Sequence, residues 1–266
     1  MGPNCGSIGA KLRRRRDIYE KMVKMDKSSQ AEDAPVGALL SGWSPPPRPP
    51  RAVMEGRYAR VAPLSVDAHA KDLFSAFEGA DRVWTYLPYG PFASFAAYGD
   101  WVAAQSISED PLFFAIGDTR TGAWCGVASY LRIDPTAGAI EVGHINFSPR
   151  LQGTRAATEA LFLMMEWAFT AGYRRFEWKC DALNAPSRRA GQRLGLSYEG
   201  VFRQATVVKG RNRDTAWFAA IDAEWPALRA AFSAWLDPAN FDADGVQRQR
   251  LSALTAPIRV ASDPTL

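Results

Sequence analysis

The alternation of short apolar strands with amphipathic helices from Tyr58 onward constrains the fold of this 266-residue chain more than any other feature. Three β-rich runs, Leu112–Ile116, Trp124–Leu131 and Ile140–Phe147, follow one another with turn-forming Gly, Asp and Pro residues between them. Connections of this kind join neighbouring antiparallel strands. The middle of the chain is therefore predicted to form an antiparallel meander.

Apolar residues at spacings of three and four predict helices before and after this meander. Strands that alternate with such helices are typical of an α/β (α+β) fold, here a single domain in which helices flank one sheet. The expected helices are Val66–Phe77, Phe92–Ala104, Ala156–Ala171, Pro186–Leu194 and Glu224–Trp235, and the other expected strands are Tyr58–Pro63, Arg174–Cys180, Ser197–Val208 and Thr215–Ile221.

Composition divides the chain into three parts. Residues 1–57 hold a basic run and a proline-rich segment, residues 44–50, which cannot build a helix or a central strand because proline lacks an N–H donor. They are predicted to be a disordered basic tail and a Pro-rich linker. Residues 58–236 are the predicted domain, and residues 237–266 are a C-terminal extension that is expected to be loosely ordered.

The formal net charge of +4 resides in the tail. Residues 1–27 carry eight Lys/Arg against three Asp/Glu, so the remainder of the chain is close to neutral. A nucleic acid or another polyanion is therefore considered as a partner of the tail only, and a solvated extension is the simpler interpretation. Met25 is an alternative translation start to Met1.

Three cysteines and two histidines are too few for a disulfide framework or a structural metal site, so no metal is expected. No apolar stretch approaches the roughly 20 residues that span a bilayer, and no apolar leader segment follows the N-terminal arginines. The sequence therefore predicts a cytoplasmic protein with reduced thiols and without a membrane partner.

A strand, a glycine-bearing loop and a helix follow one another directly after the meander. The strand ends at Phe147, the loop runs from Ser148 to Gly153, and the helix begins near Thr154. The first N–H groups of a helix have no intrahelical acceptor, and the helix dipole adds partial positive charge there. The segment therefore predicts a phosphate site, with a plain structural turn as the alternative.

Four motifs in order resemble the GNAT superfamily of N-acetyltransferases, in particular its RimJ/RimL-like branch. The segment Arg150-Leu-Gln-Gly-Thr-Arg155 resembles the family's pyrophosphate-binding motif, although the family usually has Gly or Ala where Arg155 stands. The resemblance extends from Tyr58 to Trp225. The other matching motifs are Asn184-Ala-Pro-Ser187, Leu194-Gly-Leu-Ser-Tyr-Glu-Gly200, and a closing hairpin with Phe202-Arg-Gln204, Lys209-Gly210 and Asp214.

The resemblance implies a mixed, mostly antiparallel sheet that splays near Ile140–Phe147, with acetyl-CoA as co-substrate. The pantetheine arm is expected beside main-chain groups of Ile145 and Phe147, within reach of Asn184. The pyrophosphate is expected at the loop and the first helical turn. The residues implied there are Gln152, Gly153, Thr154, Arg155, Ala156 and Ala157.

Acetyl transfer needs a neutral amine and then an acid that protonates the departing thiolate. Glu141 is the first candidate for the base, since the related branch is thought to use a Glu on this strand. His144 is the alternative base, on the opposite face of a regular strand unless a bulge intervenes. Ser187 resembles the family's general acid, with helix capping as its other role, and Cys180 is expected to be a buried thiol and no nucleophile.

The acceptor is expected to be a primary amine of a peptide, a protein N-terminus or a small metabolite. The aromatic residues Trp84, Tyr86 and Tyr89 lie where this fold usually builds its acceptor pocket, with core burial as the alternative. A second hypothesis is a non-catalytic acetyl-CoA-binding or regulatory module whose tail recruits a nucleic acid or an acidic partner. A homodimer is left open.

Overall fold

The structure, a computed structural model, describes residues 36–266. It divides into a unit that ends at Ser44 and a compact unit of Pro45–Leu266. The predicted basic tail, residues 1–27, lies outside the described residues. The structure differs from the predicted linker over Pro45–Arg57, which belongs to the compact unit. The Tyr173 hydroxyl donates to the Pro47 carbonyl at 3.1 Å, which ties the proline-rich segment to the domain.

One sheet organises the described residues, with the order β1-β2-β3-β4-β5-β6-β8-β7. Every neighbouring pair is antiparallel except β5 and β6, which are parallel. The mixed, mostly antiparallel sheet that the sequence predicted is thus confirmed. The strands are β1 Met54–Glu55, β2 Ala59–Pro63, β3 Leu112–Asp118, β4 Trp124–Asp134, β5 Ala139–Phe147, β6 Arg175–Asp181, β7 Ser197–Val208 and β8 Arg211–Ile221.

Helices cover both faces of this sheet. Ser65, Ser94 and Thr154 cap the first three, because each side chain accepts an N–H of the first helical turn. The helices are α1 Val66–Ala76, α2 Phe95–Ser106, α3 Arg155–Thr170, α4 Ala185–Arg193, α5 Trp225–Leu236 and α6 Leu251–Thr255, with 3-10 turns at Asp81–Trp84 and Pro238–Asn240.

Two apolar cores lie on opposite faces of the sheet. On the α1/α2 face, Leu73 and Tyr98 pack against Phe113 of β3. On the α3/α5 face, Met165 and Phe232 belong to the larger core. Alternation along the strands explains the division, because neighbouring residues of a strand point to opposite faces.

The sheet splits between β5 and β6. These strands pair only from Ala139 to Val142 of β5, whereas residues 143–147 of β5 pair with β4 alone. Strand β6 continues to pair with β8 up to Asp181. The splay that the resemblance implied is thus present, and it leaves one main-chain edge of β5 without a strand partner.

A β-bulge at His144 changes which side chains share a face. The register between β4 and β5 shifts after Gly143, and His144 has a φ of +49°. In a regular strand His144 would face away from Glu141. The bulge turns it back, so that its ring lies 5.1 Å from that of Phe113 on the α1/α2 face. The strand is thus not regular here, and the bulge named as the exception in the sequence analysis places His144 on the face of Glu141, because the extra residue breaks the two-residue period.

The C-terminal extension is ordered, contrary to the expectation of a loose segment. Leu251 and Asp263 are buried, and the Asp263 carboxylate accepts a 2.7 Å hydrogen bond from Nε of Arg188 on α4. The Thr255 hydroxyl donates to the Arg193 carbonyl at 3.0 Å. The extension thus fastens helix α4 through polar contacts that hydrophobic periodicity does not reveal. Across residues 36–266, every helix is too short or too polar to traverse a bilayer.

Candidate functional site

A cavity of about 660 Å³ occupies the split in the sheet. Its walls come from strands β4 to β8, from the start of α4, and from the 83–88 segment before α2. Two of the three predicted acid–base residues, Glu141 and His144, line it from β5, and the third, Ser187, lines it from α4. The structure therefore brings together side chains that are up to 46 positions apart in the sequence.

His144 is a neutral imidazole held by an aromatic neighbour. Its Nδ1 lies 3.0 Å from the Tyr89 hydroxyl, and the two rings stack at an angle of 13°. Burial and, to a smaller extent, the nearby positive charges of Arg132 and Arg213 together lower the pKa of His144 to about 4. Among the described residues Nε2 has no hydrogen-bond partner. His144 therefore presents an uncharged ring to the cavity at neutral pH.

Glu141 is buried and fully engaged by cations. Arg132 donates to both carboxylate oxygens, at 2.7 and 3.0 Å, and Nζ of Lys179 lies 2.9 Å from Oε2. The same ammonium contacts Glu177 at 2.6 Å and lies 3.8 Å from the ring centroid of Trp217. Such charge-assisted contacts occupy both oxygens of the carboxylate.

Ser187 lies in the first turn of α4 beside the end of β6. Its Oγ accepts a hydrogen bond from Nε1 of Trp178 at 3.1 Å, and its own N–H donates to the Asn184 side chain at 3.2 Å. Asn184 is therefore the N-cap of α4, the role that was considered for Ser187. Burial raises the pKa of the Cys180 thiol to about 11, so this neighbouring cysteine is protonated at neutral pH, as expected of a buried thiol.

The three aromatic candidates for the acceptor pocket lie in different environments. Trp84 is 3% exposed and packs in the α1/α2 core. Tyr86 lines the cavity, and its hydroxyl donates to the Leu183 carbonyl at 3.2 Å. Tyr89 reaches the cavity only through its contact with His144. Core burial thus describes Trp84, whereas Tyr86 is the one of the three that lines the cavity.

Lys209, at the tip of the β7–β8 hairpin, joins the two sides of the cavity. Its ammonium donates to the carbonyls of Trp84 and Gly90 at 2.9 and 2.8 Å. The hairpin tip is thereby fastened to the segment that precedes α2. The sequence placed Lys209 in one of the matched motifs, but no contact of its side chain was predicted.

Three main-chain N–H groups are free at the start of α3. Those of Gly153, Arg155 and Ala156 donate to no acceptor within residues 36–266. Gly153 has a φ of +73°, and no atom lies within 4 Å of the position that a Cβ would take, so the loop faces open space. This arrangement can hold an anion.

The remaining loop residues maintain that conformation. The Gln152 side chain donates to the Phe147 carbonyl at 2.8 Å, which joins the loop to the end of β5. The Thr154 hydroxyl donates to the Leu151 carbonyl at 2.7 Å and accepts from the Ala157 N–H at 3.1 Å. The Ile145 main chain lies on the part of β5 that pairs with β4 alone.

The Arg155 side chain points away from this loop. Its guanidinium lies 5.2 Å from the ring centroid of Tyr58 and 4.1 Å from that of Phe241 in the C-terminal extension. The residue that departs from the family pattern therefore binds the extension through cation–π contacts and leaves the loop amides uncovered.

Sequence reasoning missed the cations of the cavity, namely Arg132, Lys179 and Arg213. Lys179 lies two residues after Glu177 on β6, so strand alternation predicts that their side chains point to the same face. Arg132 has a φ of +47° at a second register shift in β4, which no sequence pattern announces. Within the described part of the chain no group of three or more His, Cys, Asp or Glu could hold a metal ion.

Comparison with known proteins gives consistent matches. The sequence model of the Acetyltransferase (GNAT) domain matches residues 60–197. The crystal structure of a GCN5-related N-acetyltransferase from Brucella melitensis is 47% identical, with 82% of this chain and 100% of that chain covered and a TM-score of 0.80. A probable GNAT-family acetyltransferase from Chromobacterium violaceum is 43% identical, with 73% and 98% covered and a TM-score of 0.69.

A third match is similar in fold alone. The ribosomal L7/L12 alpha-N-protein acetyltransferase RimL is 20% identical, with 64% of this chain and 94% of that chain covered and a TM-score of 0.56. A search of curated proteins gave no match.

Proposed function

Because the chain belongs to the GNAT acetyltransferase family, we propose that it transfers the acetyl group of acetyl-CoA directly to a primary amine of a peptide, a protein N-terminus or a small metabolite. One observation carries the proposal: the split between β5 and β6 opens into a cavity that brings His144 and Ser187 together. Membership of the RimJ/RimL-like branch, a cytoplasmic location and a possible homodimer belong to the same proposal.

The chain's own groups fit acetyl-CoA. The free N–H groups of Gly153, Arg155 and Ala156 suit a pyrophosphate, because a helix N-terminus attracts negative charge. The unpaired edge of β5 from Gly143 to Phe147 suits an amide-bearing arm, and Asn184 lies in the cavity wall with its side-chain N–H groups available. When bound, acetyl-CoA supplies the activated acyl group and a thiolate leaving group.

The acceptor amine has to react in its neutral form. Near neutral pH, removal of the proton costs about 4 kcal/mol for a lysine amine of pKa ~10.4 and about 1 kcal/mol for an α-amine of pKa ~7.7–8.0. A weak base therefore suffices for an α-amine, whose proton becomes strongly acidic as the new C–N bond forms.

We assign this base to His144 in preference to Glu141. The imidazole is neutral, lines the cavity and keeps Nε2 free among the described residues, so it can accept the proton when Tyr89 holds Nδ1. The Glu141 carboxylate would have to give up contacts with Arg132 and Lys179 to act as a base. Glu141 is instead a positioning residue that keeps these two cations in the wall.

We assign the general acid to Ser187. Trp178 donates to Oγ, and the same side chain hydrogen-bonds with the neighbouring Cys180 thiol, so the hydroxyl proton would turn from that thiol to a departing thiolate in the cavity. A hydroxyl at this place stabilises a departing thiolate and can protonate it. Cys180 takes no covalent part, because its raised pKa keeps the thiol protonated.

The position of Arg155 gives no support to the non-catalytic alternative. That alternative rested on Arg155, whose guanidinium lies between Tyr58 and Phe241 and covers none of the free amides. The recruiting tail that this alternative requires lies outside the described residues.

Calorimetric titration of the protein with acetyl-CoA tests the proposal. We expect micromolar binding that Gly153→Glu abolishes, because the new carboxylate occupies the space before the free amides. Gly122→Glu is the matched control, since Gly122 also has a positive φ and open space but lies in the β3–β4 turn. If the intact, folded protein failed to bind acetyl-CoA, the proposal would be wrong.

A further inference from the structure

Arg213 carries a charge that no carboxylate neutralises. It lies on β8 in the wall of the cavity, and among residues 36–266 no acid lies within ion-pair distance of it. Its Nε atom is buried and has no hydrogen-bond partner. A buried N–H without an acceptor costs about 1–3 kcal/mol, more when the group is charged, so a ligand that supplies an acceptor is stabilised there.

The other charged side chains of the wall are already satisfied. Arg132 and Lys179 both contact Glu141, and Lys179 also contacts Glu177. The remaining acid of the wall, Asp181, accepts the Leu183 N–H at 2.8 Å through one oxygen.

The positive charge of Arg213 acts on the reacting groups. It lowers the pKa of His144 and, as a minor contribution, that of Cys180, which lies beside Ser187. Arg213 is therefore close to the residues that we assign to proton transfer. An anion bound by Arg213 lies a short distance from the amine that His144 deprotonates.

The phosphates of acetyl-CoA do not explain this guanidinium, and the pantetheine arm proposed beside β5 is uncharged and brings no carboxylate to it. The free amides of Gly153, Arg155 and Ala156 belong to the start of α3, and none of these residues lines the cavity that Arg213 lines. Phosphates held at α3 therefore leave Arg213 without a partner. The unsatisfied donor belongs to the part of the site that receives the acceptor.

We propose that Arg213 binds a carboxylate of the acceptor, so that the preferred acceptors are amines with a carboxylate a few bonds away, such as free α-amino acids. This inference rests on the proposed acetyl transfer and specifies its substrate class. The planar guanidinium offers a fork of N–H donors that matches a carboxylate in two hydrogen bonds. A neutral amide in the same place accepts at one oxygen only and brings N–H groups that face other donors.

The test compares each amino acid of a panel with its own carboxamide, for example leucine with leucinamide. Both members share the amine and the side chain and differ in the charged group. We expect Arg213→Gln to lower kcat/KM for the acids by about 10- to 100-fold, as loss of a charged hydrogen bond does, and for the amides by less than about threefold. The amines of an acid and its amide differ in pKa. This difference cancels when the acid-to-amide ratio of kcat/KM is compared between the unchanged protein and Arg213→Gln.

Two further variants sharpen the result. Arg213→Lys should keep part of the preference for acids, since the charge stays and the fork is lost. Arg211→Gln removes an exposed arginine from the same strand and should change neither member of a pair. Thermal unfolding of each variant shows whether it is folded.

Every other outcome of the test would contradict either the role of Arg213 or the proposed function. An equal loss for acids and amides in Arg213→Gln would overturn the role of Arg213. So would a lack of acetylation of every panel member by protein that binds acetyl-CoA. Lack of acetyl-CoA binding would overturn the proposed function itself, which separates the two failures.

Discussion

The Tyr89 hydroxyl lies 3.0 Å from Nδ1 of His144, with the two rings stacked 5.6 Å apart. These residues come from the segment before α2 and from the bulge in β5, so the contact joins the acceptor side of the cavity to the split strand. If His144 is the base, Tyr89 sets the orientation of its free nitrogen.

Tyr89→Phe should lower kcat by about three- to tenfold, because a neutral hydrogen bond contributes roughly 0.5–1.5 kcal/mol. His144→Gln should lower kcat much more, by about 10²- to 10⁴-fold, since glutamine cannot take the proton. Acetyl-CoA binding by calorimetry should stay unchanged in both. An active His144→Gln enzyme would move the role of base to Glu141 or water.

The pH dependence of kcat/KM offers a separate check. Burial lowers the pKa of His144 to about 4, so the neutral, active imidazole is present throughout the range above about pH 5. Activity should therefore rise with pH along the titration of the acceptor amine, near pH 8 for the α-amine of a peptide and at higher pH for that of a free amino acid, without a break near pH 6.5. Acceptors with different amine pKa values should shift this rise accordingly. A break near pH 6.5 common to all acceptors would contradict a neutral, buried His144.

Glu141→Gln should destabilise the protein, because it leaves the ammonium of Lys179, 5% exposed, with one carboxylate fewer. We expect a loss of about 1–3 kcal/mol in the free energy of unfolding, below the usual cost of breaking a buried pair, since Glu177 still contacts Lys179 and Arg132 is largely exposed. Denaturant titration measures it.

The control for this variant is Glu199→Gln, which breaks a more exposed pair with Arg175 and should cost less than about 1 kcal/mol. A change in the pH–rate profile of Glu141→Gln, with stability intact, would show that Glu141 is the base after all.

Asp263 should make stability depend on pH. Burial by itself raises the pKa of this carboxyl, but hydrogen bonds from Thr265 and Arg188 outweigh it and hold the pKa below its usual value. A lowered folded pKa stabilises the protein above the unfolded pKa of ~3.9, and that contribution disappears as the pH falls through the folded pKa. The Tm difference between the unchanged protein and Asp263→Asn should therefore be constant from pH 8 to 5 and shrink below about pH 4. A difference that grew in acid would contradict this sign.

Apolar residues that recur every second residue, or every third to fourth, were sufficient to predict the main strands and helices, because each element buries one apolar face. The loop before α3 was predictable for the same local reason: a glycine and a cap residue stand where the chain turns. The side chains around the reacting groups depend on register. His144 shares a face with Glu141 through a bulge in which a non-glycine residue takes a positive φ, and Arg132 reaches Glu141 from a second such position.

The C-terminal extension shows a second limit of sequence patterns. Ion pairs and hydrogen bonds with α4 order this extension. They join residues about 70 positions apart, and no periodic pattern in the sequence predicts such contacts. Helix α4 carries Ser187 and is capped by Asn184, and both residues line the cavity. The C-terminal extension therefore supports the helix that forms this wall of the cavity.

The hydrogen bonds from Lys209 to the carbonyls of Trp84 and Gly90 close a ring of covalent chain and hydrogen bonds over one side of the cavity. Residues 83–88 and the end of β7 line the cavity on this side, and these contacts fix the two segments relative to each other. Two segments 125 positions apart in the sequence thus act as one rigid wall, and the width of the cavity at this wall depends on a single ammonium group.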